Sequence, residues 1–151
     1  MSEYQRKLDE LLQEVDPGLV EFRLGCWSAF RAKGYDYVGQ ASSSMRRLVT
    51  DVLVHIAPDD KVTNTDYFKN SPKAKTRKGE ISWGARIFCA TNYDKNKAEH
   101  LERLATGLLS AYGNLSAWDH TPLKLHDFVY GFFVAIEGYL LSLLSEVKKE
   151  K

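Results

Sequence analysis

The chain is short of the residues that would let a small fold be stapled together. Only two cysteines, Cys26 and Cys89, occur in 151 residues. Neither belongs to a CxxC pair or sits at ligand spacing from a histidine, so they read as buried thiols in a reducing compartment rather than as a disulfide or a metal site. Four prolines leave long stretches without a helix breaker. A dominant sign of charge is also missing. The formal net charge is +1, so no global field draws in nucleic acid or an anionic membrane, and any such role has to come from a local patch. HExxH motifs, paired-carboxylate spacings, glycine-rich phosphate loops and serine nucleophile elbows are absent, so the sequence signals neither a metal nor a cofactor. The opening "MSEYQRKLDE" has no signal-peptide apolar core. The most apolar run, "DFVYGFFVAIEGYLLSLLSEV", is interrupted by Glu137 and two glycines and reads as a buried helix rather than a membrane span. The expectation is a cytoplasmic protein with no membrane partner.

What is present is an ordinary globular balance, 44% apolar and 27% charged, in a chain long enough to bury a core as a single domain over 1–151. Helical periodicity runs through nearly all of it. In 3–15, Tyr4, Leu8, Leu11, Leu12 and Val15 recur at three- and four-residue steps behind Ser2 as N-cap. Asp16-Pro17-Gly18 breaks the chain, and 19–32 follows with Leu19, Val20, Leu24, Trp27 and Phe30, closed by Lys33-Gly34. From Val38 to Ile56 the apolar set forms the cleanest amphipathic pattern, stopped at Pro58. Residues 59–78 show no period and read as one long polar loop. The segment 81–91 fits a helix better than a strand. Residues 95–118 are helical, and Thr121-Pro122 opens a final helix to about Val147, with a frayed tail over 148–151. The predicted fold is an all-α bundle of about six helices carrying one long basic loop.

Three groups of residues carry candidate chemistry. On the helix 38–56, Gln40, Ser44, Arg47, Asp51 and His55 form a ladder at three- and four-residue spacing along the flank of the apolar face. Asp51 can hold Arg47 on one side and orient His55 on the other, which favours a charged imidazole fit for proton transfer. The same spacing also describes a plain salt-bridged flank. The second group is "LSAWDHTPLKLHDF", where His120, beside Asp119, precedes a helix N-terminus suited to an anion. Further on, His126, Tyr130 and Glu137 share a flank. The third is the loop 69–78, in which Lys69, Lys73, Lys75, Arg77 and Lys78 place five positive charges in ten residues without an acid. Such a patch binds phosphates, and Tyr67 and Phe68 beside it offer stacking surface.

The stretches "GCWSAF", "QASSSMRRLV", "IAPDD" and "KTRK", in that order, resemble the predicted pPIWI-associating nucleases of bacterial defence systems. The helical order is also similar to the broader HEPN group of small all-α domains. Many of those are metal-independent ribonucleases that work as dimers, with an arginine, four to six intervening residues and then a histidine. Here Arg47 and His55 have seven residues between them. The resemblance implies a defence-associated nuclease acting on RNA without a metal, a homodimer, and a protein partner from such a system. Arg47, Asp51, His55 and His120 are its catalytic set, and the cations of 69–78 bind nucleic acid. The alternative is a non-catalytic helical adaptor, with the ladder on an open surface and an apolar patch left for its partner.

Overall fold

The structure is a computed structural model, which describes residues 2–34, 36–92, 97–118 and 126–149, with 115–118 described by backbone alone. Among the described residues the fold is all-α, with eight helices and no strand: α1 (Glu3–Val15), α2 (Pro17–Ala32), α3 (Tyr37–Ile56), α4 (Asp59–Thr63), α5 (Asp66–Asn70), α6 (Trp83–Ala90), α7 (Ala98–Trp118) and α8 (His126–Lys149).

Several of the local signals that end and begin these helices act as the sequence predicts. Thr121-Pro122 lies outside the described residues, and α8 continues through Lys149, beyond the expected end near Val147. Ser2 and Gln5 form a capping box on α1. Asp16 then serves two helices. Its N–H donates to the Leu12 carbonyl at 2.8 Å to close α1, and its carboxylate accepts from Gly18 N at 3.1 Å to open α2, with Pro17 at the first position. Lys33 takes the left-handed conformation at the end of α2 (φ 51°) and turns the chain toward α3.

Helix α3 is the spine. It packs most extensively on α2 and also touches α1, α6, α7 and α8. Its buried face, Val38, Ala41, Met45, Leu48, Val49, Val52 and Leu53, is the one the apolar period marks. Leu8 and Leu12 of α1, Leu101 and Leu108 of α7, and Phe133, Ile136 and Leu140 of α8 complete one continuous core. Helix α8 is long and apolar enough to cross a membrane by length and composition alone. In the fold its inner face lies in this core and carries the buried Glu137. Helices α7 and α8 approach closely at Gly107, where an added Cβ would stand 2.6 Å from the Tyr139 ring.

The segment 59–78 differs from the long irregular loop expected of it. Helices α4 and α5, each five residues long, and a 3₁₀ turn at Pro72–Ala74 account for most of it. An isolated antiparallel bridge joins Lys75 to Ile81. Two five-residue helices make less than two turns each, too short for a 3.6-residue period to register. They cover a small second core of Ala57, Val62, Ala74 and Ala85. Of the two options for 81–91, helix is the one adopted, capped by the Ser82 side chain on Ala85 N.

Candidate active site

The ladder on α3 exists as spacing, but its contacts are not those of a relay. The Arg47 guanidinium stands 3.8 Å from the Asp51 carboxylate with its side chain 70% exposed, and it lies over the Phe22 ring at 4.9 Å. The contact His55 makes is with the main chain: its Nδ1 lies 2.7 Å from the Asp51 carbonyl oxygen one turn back along α3. An exposed pair of this kind contributes a few tenths of a kcal/mol, about 0.2–0.5. His120 lies outside the described residues. The five cations of 69–78 are all exposed, with Lys75 Nζ 5.0 Å from the Phe68 ring centre. This segment packs on α6 rather than along the ladder.

A more organised constellation sits where α1, α2 and α8 meet. Arg23 is fully buried on the apolar face of α2. It pairs with Asp9 through two hydrogen bonds, Nε to one carboxylate oxygen and Nη2 to the other at 2.7 Å. Its Nη1 donates to Glu137 Oε2 at 3.0 Å. The same oxygen accepts from Trp27 Nε1 at 2.8 Å. Glu137 Oε1 accepts from the Tyr4 hydroxyl at 3.2 Å and from Gln5 Nε2 at 3.4 Å. A carboxylate with no solvent exposure thus receives four donors from two other helices, which is the condition under which a buried charge is tolerated. Burial pulls the Arg23 value down, but its bonds to Asp9 and Glu137 outweigh that, and it stays charged. Burial, and then the Glu137 charge, push the Tyr4 hydroxyl up to about 12, so it remains a neutral donor.

Three of the four donors to Glu137 line a cleft of about 380 Å³ above it. Tyr4, Gln5 and Trp27 form part of its wall, with Phe30, His126 and Tyr130 beside them and Arg31 and Lys33 as cations. His126 opens the described part of α8. Its ring stacks on Phe30 at 4.3 Å between centroids, and its Nδ1 lies 2.6 Å from the Tyr37 hydroxyl oxygen. With the proton on Nδ1 and donated to Tyr37, the other ring nitrogen keeps its lone pair and is a base; in the other tautomer the hydroxyl donates and that nitrogen carries the proton. The ring is therefore held in one orientation by a stack and a hydrogen bond, beside two positive charges and two tyrosines. Such a cleft can take a proton from a hydroxyl and attract a phosphate.

The shared flank of His126, Tyr130 and Glu137 is the part of this arrangement visible in the sequence. The signal left unread was Arg23, a cation on the buried face with Leu19, Cys26, Trp27 and Phe30, which is the natural partner of the acid noted inside the most apolar run. A charge on an apolar stripe implies a charge opposite it. The cleft and the ladder's histidine stand apart. Tyr37 begins α3 and His55 is in its last turn, about 27 Å along the axis at 1.5 Å per residue.

Among the described residues no group of three or more His, Cys, Asp or Glu side chains gathers as a cation site. A protein-family model described as "Predicted pPIWI-associating nuclease" matches residues 12–129, which take in Arg23, Trp27, Arg31, Lys33, Tyr37 and His126. No curated protein and no solved structure matches the chain.

Proposed function

The chain belongs to the family of predicted pPIWI-associating nucleases, and on that premise we propose that it is a nuclease acting on RNA through the His126 cleft. The observation that carries this reading is the 2.6 Å pairing of His126 Nδ1 with the Tyr37 hydroxyl at the edge of a cleft that also presents Arg31 and Lys33. In the reaction, the imidazole takes the proton of a ribose 2′-OH as its oxygen attacks phosphorus. The bond from phosphorus to the 5′-oxygen breaks, that oxygen takes a proton from water, and the imidazolium returns its proton to the solvent. Arg31 and Lys33 offset the charge that develops on the phosphoryl oxygens. This route needs the 2′-OH and makes no use of a metal, as in HEPN-type ribonucleases. Tyr37 is a positioning residue that fixes the direction of the ring. Arg47, Asp51 and His55 on α3, with His120, form a second candidate set. A pPIWI protein is the partner that the family description suggests, and the proposed assembly is a homodimer.

The test uses labelled single-stranded RNA, its 2′-O-methyl counterpart and DNA of the same sequence, in excess chelator. Cleavage of the RNA alone, leaving cyclic 2′,3′-phosphate ends, is the expected result. Cleavage of all three substrates, or of none, counts against it.

One observation favours the adaptor reading instead. Phe128 is 65% exposed at the start of α8 and Tyr130 beside it 51%, an apolar surface suited to a protein partner. A chain that binds its partner yet cleaves nothing would establish that alternative.

A further inference from the structure

A groove of about 820 Å³ between α6 and α7 is separate from the His126 cleft. Its volume falls within the range of about 300–1,000 Å³ common to ligand sites. Its walls are aromatic: Tyr67 and Phe88 meet edge to face at 4.7 Å, and Trp83 and Tyr112 at 4.2 Å. Leu109, 47% exposed, stands at its mouth. Lys73 and Thr76 bring one wall of the groove into the basic segment 69–78. That segment carries five cations and no acid in its ten residues, and Lys75 is held over Phe68 at 5.0 Å. Glu102 lies on the opposite wall.

Aromatic walls with Lys73 among them, continuous with a cation-rich exposed segment, suit a polymer with flat apolar rings and a line of negative charge. We propose that this groove binds single-stranded nucleic acid, with bases stacked against Trp83 and Tyr112, one phosphate on Lys73 and the strand running on over the neighbouring cations of 69–78. A duplex hides its ring faces and does not fit. Glu102 keeps phosphates off the far wall and accepts hydrogen bonds from exocyclic amines of bases. The inference rests on the reading of the chain as a nuclease acting on RNA, because it supplies the surface that holds the strand while another part of it enters the cleft.

The experiment is fluorescence anisotropy with a short labelled 2′-O-methyl oligoribonucleotide, which cannot undergo attack by its own 2′-oxygen. Binding is thereby read whether or not the chain cleaves RNA. The expected result is preference for this strand over the same sequence as a duplex, with quenching of tryptophan emission. Trp83→Ala weakens binding about tenfold, within the range for loss of one stacked base. Leu109→Glu, at a solvent-exposed mouth position where folding is not at stake, weakens it similarly. Lys73→Ala with Lys75→Ala flattens the plot of log K against log salt by about 1.4, at about 0.7 per phosphate on a single strand. Absence of binding, equal binding to the duplex, or affinity untouched by Leu109→Glu would overturn the proposal. Failure of cleavage with this binding intact would overturn the catalytic reading and leave the groove standing.

Discussion

Replacing Glu137 with leucine tests the buried charge network most severely. The substitution keeps roughly the volume of the side chain and removes every acceptor it offers. Two deeply buried donors, Arg23 Nη1 and Trp27 Nε1, lose their partner, at about 1–3 kcal/mol each for a stranded buried polar group. Asp9 still holds the other side of the guanidinium, so the cost falls near the lower end of the range for breaking a buried pair, about 3 kcal/mol. Against a total stability of about 5–15 kcal/mol this is a large fraction. In urea, followed by tryptophan fluorescence, a slope of about 2 kcal/mol per molar turns that loss into a midpoint lower by about 1.5 M. The double variant Arg23→Met, Glu137→Leu is expected to be less destabilised than the two singles added, by about 2 kcal/mol, since the Arg23–Glu137 pair goes as a unit and the only carboxylate left without Arg23 is Asp9, which keeps some contact with water. A midpoint shift below about 0.5 M for Glu137→Leu at unchanged slope, or strict additivity in the double variant, would refute the reasoning.

The two thiols should separate in reactivity. Burial and then the Glu137 charge push Cys26 up to about 12, and it has no solvent exposure. Native protein treated with a disulfide reagent at pH 8 is therefore expected to modify Cys89 and to leave Cys26 untouched until unfolding. Tyr4, raised to about 12 in the fold from about 10 unfolded, contributes in full below pH 10 and loses that contribution as pH rises toward 12. Wild type should lose stability across this window more steeply than Tyr4→Phe in pH-dependent melts. Alanine for glycine in a helix normally stabilises by up to about 1 kcal/mol. Gly113, with open space around it, should show that gain in Tm, whereas Gly107 against Tyr139 should show none or a loss.

Much of the architecture was legible because the long helices repeat their apolar residues over several turns. The α3 pattern from Val38 to Ile56 identified the buried face, and Asp16-Pro17 marked a boundary through capping chemistry that is local by nature. Helices α4 and α5 were not legible, since five residues present no repeat and their helicity depends on packing over Ala57, Val62 and Ala85. The site was legible in fragments. Spacing put His126, Tyr130 and Glu137 on one flank, but it could not report that Tyr37, 89 positions earlier, reaches the same imidazole. It also treated Asp51 and His55 as side-chain neighbours. The imidazole instead meets the Asp51 main-chain carbonyl, since four-residue spacing brings a side chain near the backbone one turn back as well as near the side chain there.

The central claim is that catalysis belongs to the His126 cleft, and the most direct test is kcat/KM for single-stranded RNA in chelator for wild type, His126→Ala, His55→Ala and His120→Ala, with folding checked by circular dichroism. Loss of a general base costs about 10²–10⁴-fold. The account predicts that loss in folded His126→Ala and near wild-type cleavage in His55→Ala. Cleavage that survives His126→Ala and disappears with His55→Ala would contradict it and return the chemistry to the flank of α3.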